Sequence, residues 1–157
     1  MDATQGRSVQ ETHAPHNACF GCGPANAQGL RIRSFESGDA LVAEWTPAKH
    51  HEAFPDVLNG GIIGSLLDCH MNWAAAMRFK AERNADSPPC TVTAEYSISL
   101  KRPCPTNGPL AIEAHVTKLD GDRAEVEGSI TAAGKIRATA RGVFVAVGPG
   151  HPAYHRW

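Results

Sequence analysis

The segment of this chain best suited to chemistry runs from Asn59-Gly60-Gly61 to Asp68. Two glycines at the start of a helix leave the first backbone N–H groups uncovered by side chains. Those donors, with the positive end of the helix dipole, suit an anionic oxygen. The same pair of glycines also fits a tight turn. Asp68 falls in mid-helix among Leu66, Leu67, Cys69 and Met71, and Ser65 and Asn72 share its face. Burying a carboxylate there is costly unless it is hydrogen-bonded. Two roles fit: a carboxylate satisfied by Ser65, Asn72 or a strand hydroxyl, or a base or nucleophile whose pKa desolvation raises.

Gly60 and Asp68 are eight residues apart, about 12 Å along one helix axis. A single carbonyl carbon cannot lie at about 3 Å from both. If both act on one carbonyl, they come from different subunits, which makes a homodimer with composite active sites, or a dimer of dimers, the expected assembly.

One long helix must carry these residues. Asn59 is a good N-cap, and Ile62, Ile63, Leu66, Leu67, Met71, Ala74, Ala75 and Met77 recur at helical spacing. The helix is expected to fade between Lys80 and Asn84, since Asp86-Ser87-Pro88-Pro89 cannot continue it. Before it, Leu30 to Ser34 and Leu41 to Trp45 read as a hairpin around Gly38-Asp39, and Pro47 to Leu58 as a loop holding His50 and His51. After it come four strands. In the first, Val92, Ala94, Tyr96, Ile98 and Leu100 alternate with Thr91, Thr93, Glu95, Ser97 and Ser99, which marks one buried face. Leu110 to Thr117, Ala124 to Ile130 and Ile136 to Val147 complete the set, with a hairpin signal at Asp120-Gly121-Asp122. The expected fold class is α+β, an antiparallel sheet wrapped around one long central helix. Residues 1–18 read as a flexible leader, 19–147 as the domain, and 148–157 as a tail whose Trp157 docks on the surface.

The chain has 157 residues, which suits one domain, and its formal net charge of -1 argues against nucleic-acid binding. No stretch reaches the roughly 20 apolar residues of a membrane span, and the first residues lack a secretory signal, so the cytoplasm is the expected location. Five cysteines, an odd number, do not read as a disulfide framework. Cys19 and Cys22 form a C-F-G-C pair that lacks the second pair of a structural zinc site, although His13 and His16 could complete one on paper. The simpler reading is a turn, Gly21-Cys22-Gly23-Pro24, with Cys69, Cys90 and Cys104 as small hydrophobes. No metal or cofactor is expected. His50-His51 is a weak metal pair, and His70 reads as a satisfied interior histidine.

The pattern C-F-G-C-G-P-A-N-x-x-G-L, then His51, then N-G-G-I-I-G-S-L-L-D resembles the hotdog-fold acyl-CoA thioesterases of the phenylacetate-degradation (PaaI-like) type. Thr91 to Ser97, Arg102-Pro103 and Arg141 to Val145 are similar too, so the likeness spans roughly residues 19–147. The resemblance implies that Asp68 is the base or nucleophile attacking a thioester and that the Gly60 N–H, with Gly61 beside it, holds the thioester oxygen. It implies further that the Thr93 hydroxyl orients the water or carboxylate, and that Arg102 and Lys101 contact the phosphates of CoA; solvated surface charges are the alternative for those two cations. The chain departs from the family at two points. Asn59 stands where a histidine is usual, and it can cap the helix but not transfer a proton. Ala53 stands where a polar residue is usual, with His51 or Glu52 as substitutes.

A hydratase of this fold would carry D-x-N-x-x-H, which is absent. The departures at Asn59 and Ala53 also fit a non-catalytic acyl-ligand binding protein, and a zinc-dependent interaction module built on Cys19 and Cys22 is the outsider. Trp45, Trp73, Phe79 and Tyr96 fit an aromatic-acyl pocket or simply a core.

Overall fold

A computed structural model describes residues 4–157. The elements are α1 (Val9–His13), β1 (Ser34–Ser37), β2 (Ala40–Trp45), a short 3-10 turn (Lys49–His51), β3 (Glu52–Phe54), β4 (Val57–Leu58), α2 (Gly60–Glu82), β5 (Thr91–Leu100), β6 (Leu110–Asp120), β7 (Arg123–Ala132) and β8 (Lys135–Ala146). Six strands form one antiparallel sheet in the order β1-β2-β6-β7-β8-β5, and β3-β4 is a separate small pair. The sheet packs on α2 through β6, β7, β5 and β8, the hotdog arrangement.

Burial explains why α2 holds its place. Leu66, Leu67, Met71, Trp73 and Phe79 of the helix are buried against Leu110, Ile112, Ile130 and Phe144 of the sheet. Side chains of this size contribute about 1.5–3 kcal/mol each on leaving water. The helix crosses β7 at Gly128, where an added Cβ would come within 3.1 Å of Met71 Cγ. At its N-terminus the Asn59 side chain accepts from Gly61 N at 2.8 Å and Ile62 N at 3.2 Å. The loop before it is tied down as well, by Asn59 N to His51 O at 3.0 Å and Leu58 N to Cys104 O at 2.9 Å.

Besides β3 and β4, which pair where Pro47 to Leu58 was expected to be a loop, three local expectations differ from the structure. The first strand begins at Ser34 rather than Leu30. Leu30 N and Ile32 N instead donate to Phe20 O and Gly21 O, so the buried Leu30 and Ile32 close a loop. The segment expected as a flexible leader, whose first three residues lie outside those described, contains α1. Ser8 and Glu11 form a capping box on this helix, and Gln10 is buried in bonds with Ser34. Five residues are too few to display helical periodicity in a sequence.

The third difference bears on the site. β5 was expected to alternate strictly, but a β-bulge between Thr93 and Glu95 shifts its phase. Thr91 and Thr93 therefore face α2 on one side of the bulge, and Tyr96, Ile98 and Leu100 face it on the other. The apolar face is not fully covered, because β5 lies at the sheet edge; Tyr96 is 43% and Leu100 59% exposed.

Candidate active site

Gly60, Gly64, Asp68 and Asn72 recur every four residues and so form one stripe along α2. β5 runs along this stripe. Asn72 Oδ1 accepts from Thr91 Oγ1 at 2.5 Å, and Asp68 Oδ1 accepts from Thr93 Oγ1 at 2.7 Å. At Gly64 an added Cβ would stand 3.2 Å from Ile98 Cδ1 and 3.6 Å from Tyr96 Oη; at Gly60 it would stand 3.4 Å from Leu100 Cδ1. The two glycines let the apolar half of the strand approach the helix. The two polar residues meet its threonines.

Asp68 is half-buried, and burial raises its pKa above the ordinary carboxylate value; the hydrogen bond from Thr93 opposes that shift in part. A nearby Cys19 sulfur pushes the same way as burial, and Arg156 opposes it. Asp68 Oδ2 has no hydrogen bond among the described residues. A carboxylate fixed through one oxygen, with the other free and its charge poorly solvated, is equipped to accept a proton.

At the other end of the stripe, the Asn59 carboxamide takes the N–H groups of Gly61 and Ile62, while Ile62 N and Ile63 N also reach Asn59 O. Gly61 is therefore not a free donor. The Gly60 N–H has no partner among the described residues. Gly60 lines a surface depression of about 330 Å³ together with Phe54, Ile63, Leu100, Arg102 and Cys104. A single uncommitted N–H on the positive end of a 23-residue helix can hold a carbonyl oxygen that gains negative charge.

The remaining expected residues are distributed as follows. Arg102 is exposed at the rim of the depression with Lys101, and its Nη1 donates to Ile136 O at 2.9 Å. His51 lies beside the helix start, its Nδ1 accepting from Ala48 N at 2.9 Å and its ring against Trp45 and His50. Glu52 accepts from Thr106 at 2.9 Å, and Ala53 is exposed in the depression. Ser65 Oγ donates back to Gly61 O at 3.1 Å. Asn72 is buried on Thr91, so neither Ser65 nor Asn72 is bonded to Asp68, and the partner of Asp68 is the strand hydroxyl. His70 is fully buried; Nε2–H donates to Leu41 O and Nδ1 accepts from Ser34, each at 2.8 Å.

Arg156 was not anticipated from the sequence. The tail folds back so that Trp157 stacks on the buried Trp73 at 4.4 Å, and the Arg156 guanidinium lies 4.5 Å over the Trp157 ring. Its Nε is buried without a hydrogen-bond partner among the described residues, and its charge acts to lower the Asp68 pKa. The size of Trp157 was the one sequence signal for this docking.

An antiparallel sheet wrapped around one long central helix is the framework of a known class. The family model for the thioesterase superfamily matches residues 56–143, and the chain belongs to that superfamily. A thioesterase superfamily protein from Shewanella loihica PV-4 is 26% identical with a TM-score of 0.64, over 80% of this chain and 98% of that one. The PaaI protein of the phenylacetic acid degradation operon of E. coli is 19% identical with a TM-score of 0.65, over 76% and 81%. A phenylacetic acid degradation-related protein from Ralstonia eutropha JMP134 is 19% identical with a TM-score of 0.65, over 80% and 92%. The last two show the likeness of fold. No curated protein matches the chain. No helix among the described residues is long and apolar enough to cross a membrane.

Proposed function

We propose that the protein hydrolyses an acyl-CoA thioester in the cytoplasm, releasing a carboxylic acid and CoA. The observation that carries this reading is the Asp68 carboxylate, half-buried and held at Oδ1 by Thr93, with Oδ2 open. Asp68 takes a proton from water as the water oxygen bonds to the thioester carbon, or attacks that carbon itself. Direct attack gives a mixed anhydride once the thiolate has left, which water then hydrolyses to free the acid and restore the carboxylate. The Gly60 N–H receives the charge that builds on the carbonyl oxygen. The carbon–sulfur bond then breaks, and the CoA thiolate leaves and takes up a proton. Asn59 positions the helix start without carrying a proton. Arg102 and Lys101, beside the depression that Gly60 lines, suit the phosphates of CoA.

The acting Gly60 and Asp68 belong to different subunits of a homodimer, since about 12 Å of helix separates them within one chain. The exposed apolar row on β5 supports this. Ten residues of edge strand, paired with β8 on one side only and carrying Tyr96 and Leu100, invite a second chain along the line where Gly60 and Asp68 lie.

Thiol release from a panel of short, long and aromatic acyl-CoAs tests the activity, with Asp68→Asn as control. Turnover that falls by about 10²–10⁴ in the variant fits general-base duty. Unchanged turnover in Asp68→Asn refutes the assigned role. Saturable acyl-CoA binding with no thiol release would instead favour the binding-protein reading, for which the missing histidine at Asn59 is the sequence argument.

A further inference from the structure

The C-F-G-C pair acquires a third sulfur in the fold. Cys69 of α2 stands against the loop, and the Sγ atoms of Cys19, Cys22 and Cys69 all lie within 4.8 Å of one another. Cys19 Sγ and Cys69 Sγ are 3.8 Å apart, and all three cysteines are free of disulfides. We propose that Cys19, Cys22 and Cys69 form a three-thiolate site for one zinc ion.

The spacing fits the metal. Zinc–sulfur bonds of about 2.3 Å in a tetrahedron put neighbouring sulfurs about 3.8 Å apart. A disulfide needs about 2.05 Å and joins only two of the three.

The surroundings are built for thiolates. Trp73, beside Cys22, is fully buried, and its indole Nε1 has no hydrogen-bond partner among the described residues. A thiol sulfur is a weak acceptor; a metal-bound thiolate gives this donor the partner it lacks, as outer donors do around metal ligands.

Two glycines make the loop close enough. A Cβ on Gly21 would collide with Cys69 Sγ, and one on Gly23 with the backbone of Asn17 and Cys19. Gly23 N to Cys19 O at 2.8 Å and Ile32 N to Gly21 O at 3.1 Å fix the turn. No histidine or carboxylate among the described residues completes the group, so a fourth position is left for water or an exogenous ligand. Cys22 is buried, while Cys19 and Cys69 are part-exposed and give the ion a way in. Each thiol passes its proton to solvent as its bond to zinc forms. The ion would clamp residues 19–22 onto the helix one position from Asp68. Zinc uptake at the three cysteines is read without any measurement of hydrolysis.

The test is elemental analysis of the full-length protein purified without chelators, followed by Co²⁺ titration of the stripped, reduced protein. The expected result is one zinc per chain and a cobalt adduct with a sulfur-to-metal charge-transfer band. Cys19→Ser, Cys22→Ser and Cys69→Ser should each abolish the band, while Cys90→Ser and Cys104→Ser retain it. Reduced wild-type protein that gives no charge-transfer band overturns the site, whatever the variants do. So does a band that survives in Cys69→Ser, or a disulfide among the three cysteines in protein that takes up no metal.

Discussion

Thr93 Oγ1 donates to Asp68 Oδ1 at 2.7 Å, and it does so because β5 is bulged at the following residue. Without the bulge, a strand that turned Tyr96, Ile98 and Leu100 to the helix would turn Thr93 away from it. The irregularity puts a hydroxyl and an apolar row on the same face, in line with the Gly60, Gly64, Asp68 stripe.

Thr93→Val keeps the shape of the side chain and removes the donor. A hydrogen bond to a charged group contributes about 1.5–3 kcal/mol, so turnover should fall by roughly 10-fold or more, with KM little changed. Steady-state kinetics beside Asp68→Asn check this. Full activity in Thr93→Val would leave the bond with a structural role only.

Gly60→Pro deletes one N–H and little else. Gly60 is the first residue of α2, where proline is well tolerated, and Asn59 already has the extended backbone (φ -60, ψ 134) that a following proline requires. The variant should fold with an unchanged circular dichroism spectrum and lose about 10²–10³ in kcat, the loss seen on removing an oxyanion donor. Gly60→Ala keeps the N–H and meets Leu100 only at contact distance, so it should retain most activity.

The apolar row of β5 gives a test of assembly. Ile98→Glu together with Leu100→Glu places like charges along the proposed seam, which should convert the dimer to monomer in analytical ultracentrifugation and abolish turnover. A dimer that persists would move the interface elsewhere.

The long helix and the succession of strands along the chain were legible in the sequence because long periodic segments carry their own signal; the order of strands within the sheet was not. Asn59 as cap and Asp68 in mid-helix follow from the same pattern. The partner of Asp68 was not legible from alternation: strict period two puts Thr93 on the polar face, and no residue type announces the bulge. Gly64 also passed unremarked, since its role appears only once β5 lies beside it. Cys19 and Arg156 reach the region of Asp68 from opposite ends of the chain, a relation that no local spacing contains. Helix α1 was missed because its support is tertiary, through Gln10 and Ser34.

That N-terminal helix supplies a pH test. Burial pushes the Glu11 carboxyl up, but bonds from Ser8 and Arg33 outweigh it and bring the pKa from 4.5 down to about 2. The folded value lies below the unfolded one, so the contribution to stability is complete above about pH 4.5 and is lost as pH falls toward 2. Glu11→Gln should therefore lower Tm at pH 7, and the gap from wild type should close between pH 4.5 and 2. A gap independent of pH would mean that the charge of Glu11 plays no part.

The composite site is tested most directly by mixing two inactive proteins. Gly60→Pro subunits keep Asp68, and Asp68→Asn subunits keep the Gly60 N–H, so a mixed dimer holds one intact site. After denaturation and joint refolding at equal concentration, activity should recover to about a quarter of wild type, since half the dimers are mixed and each has one working site. A mixture that stays as inactive as its components would contradict a site shared between subunits.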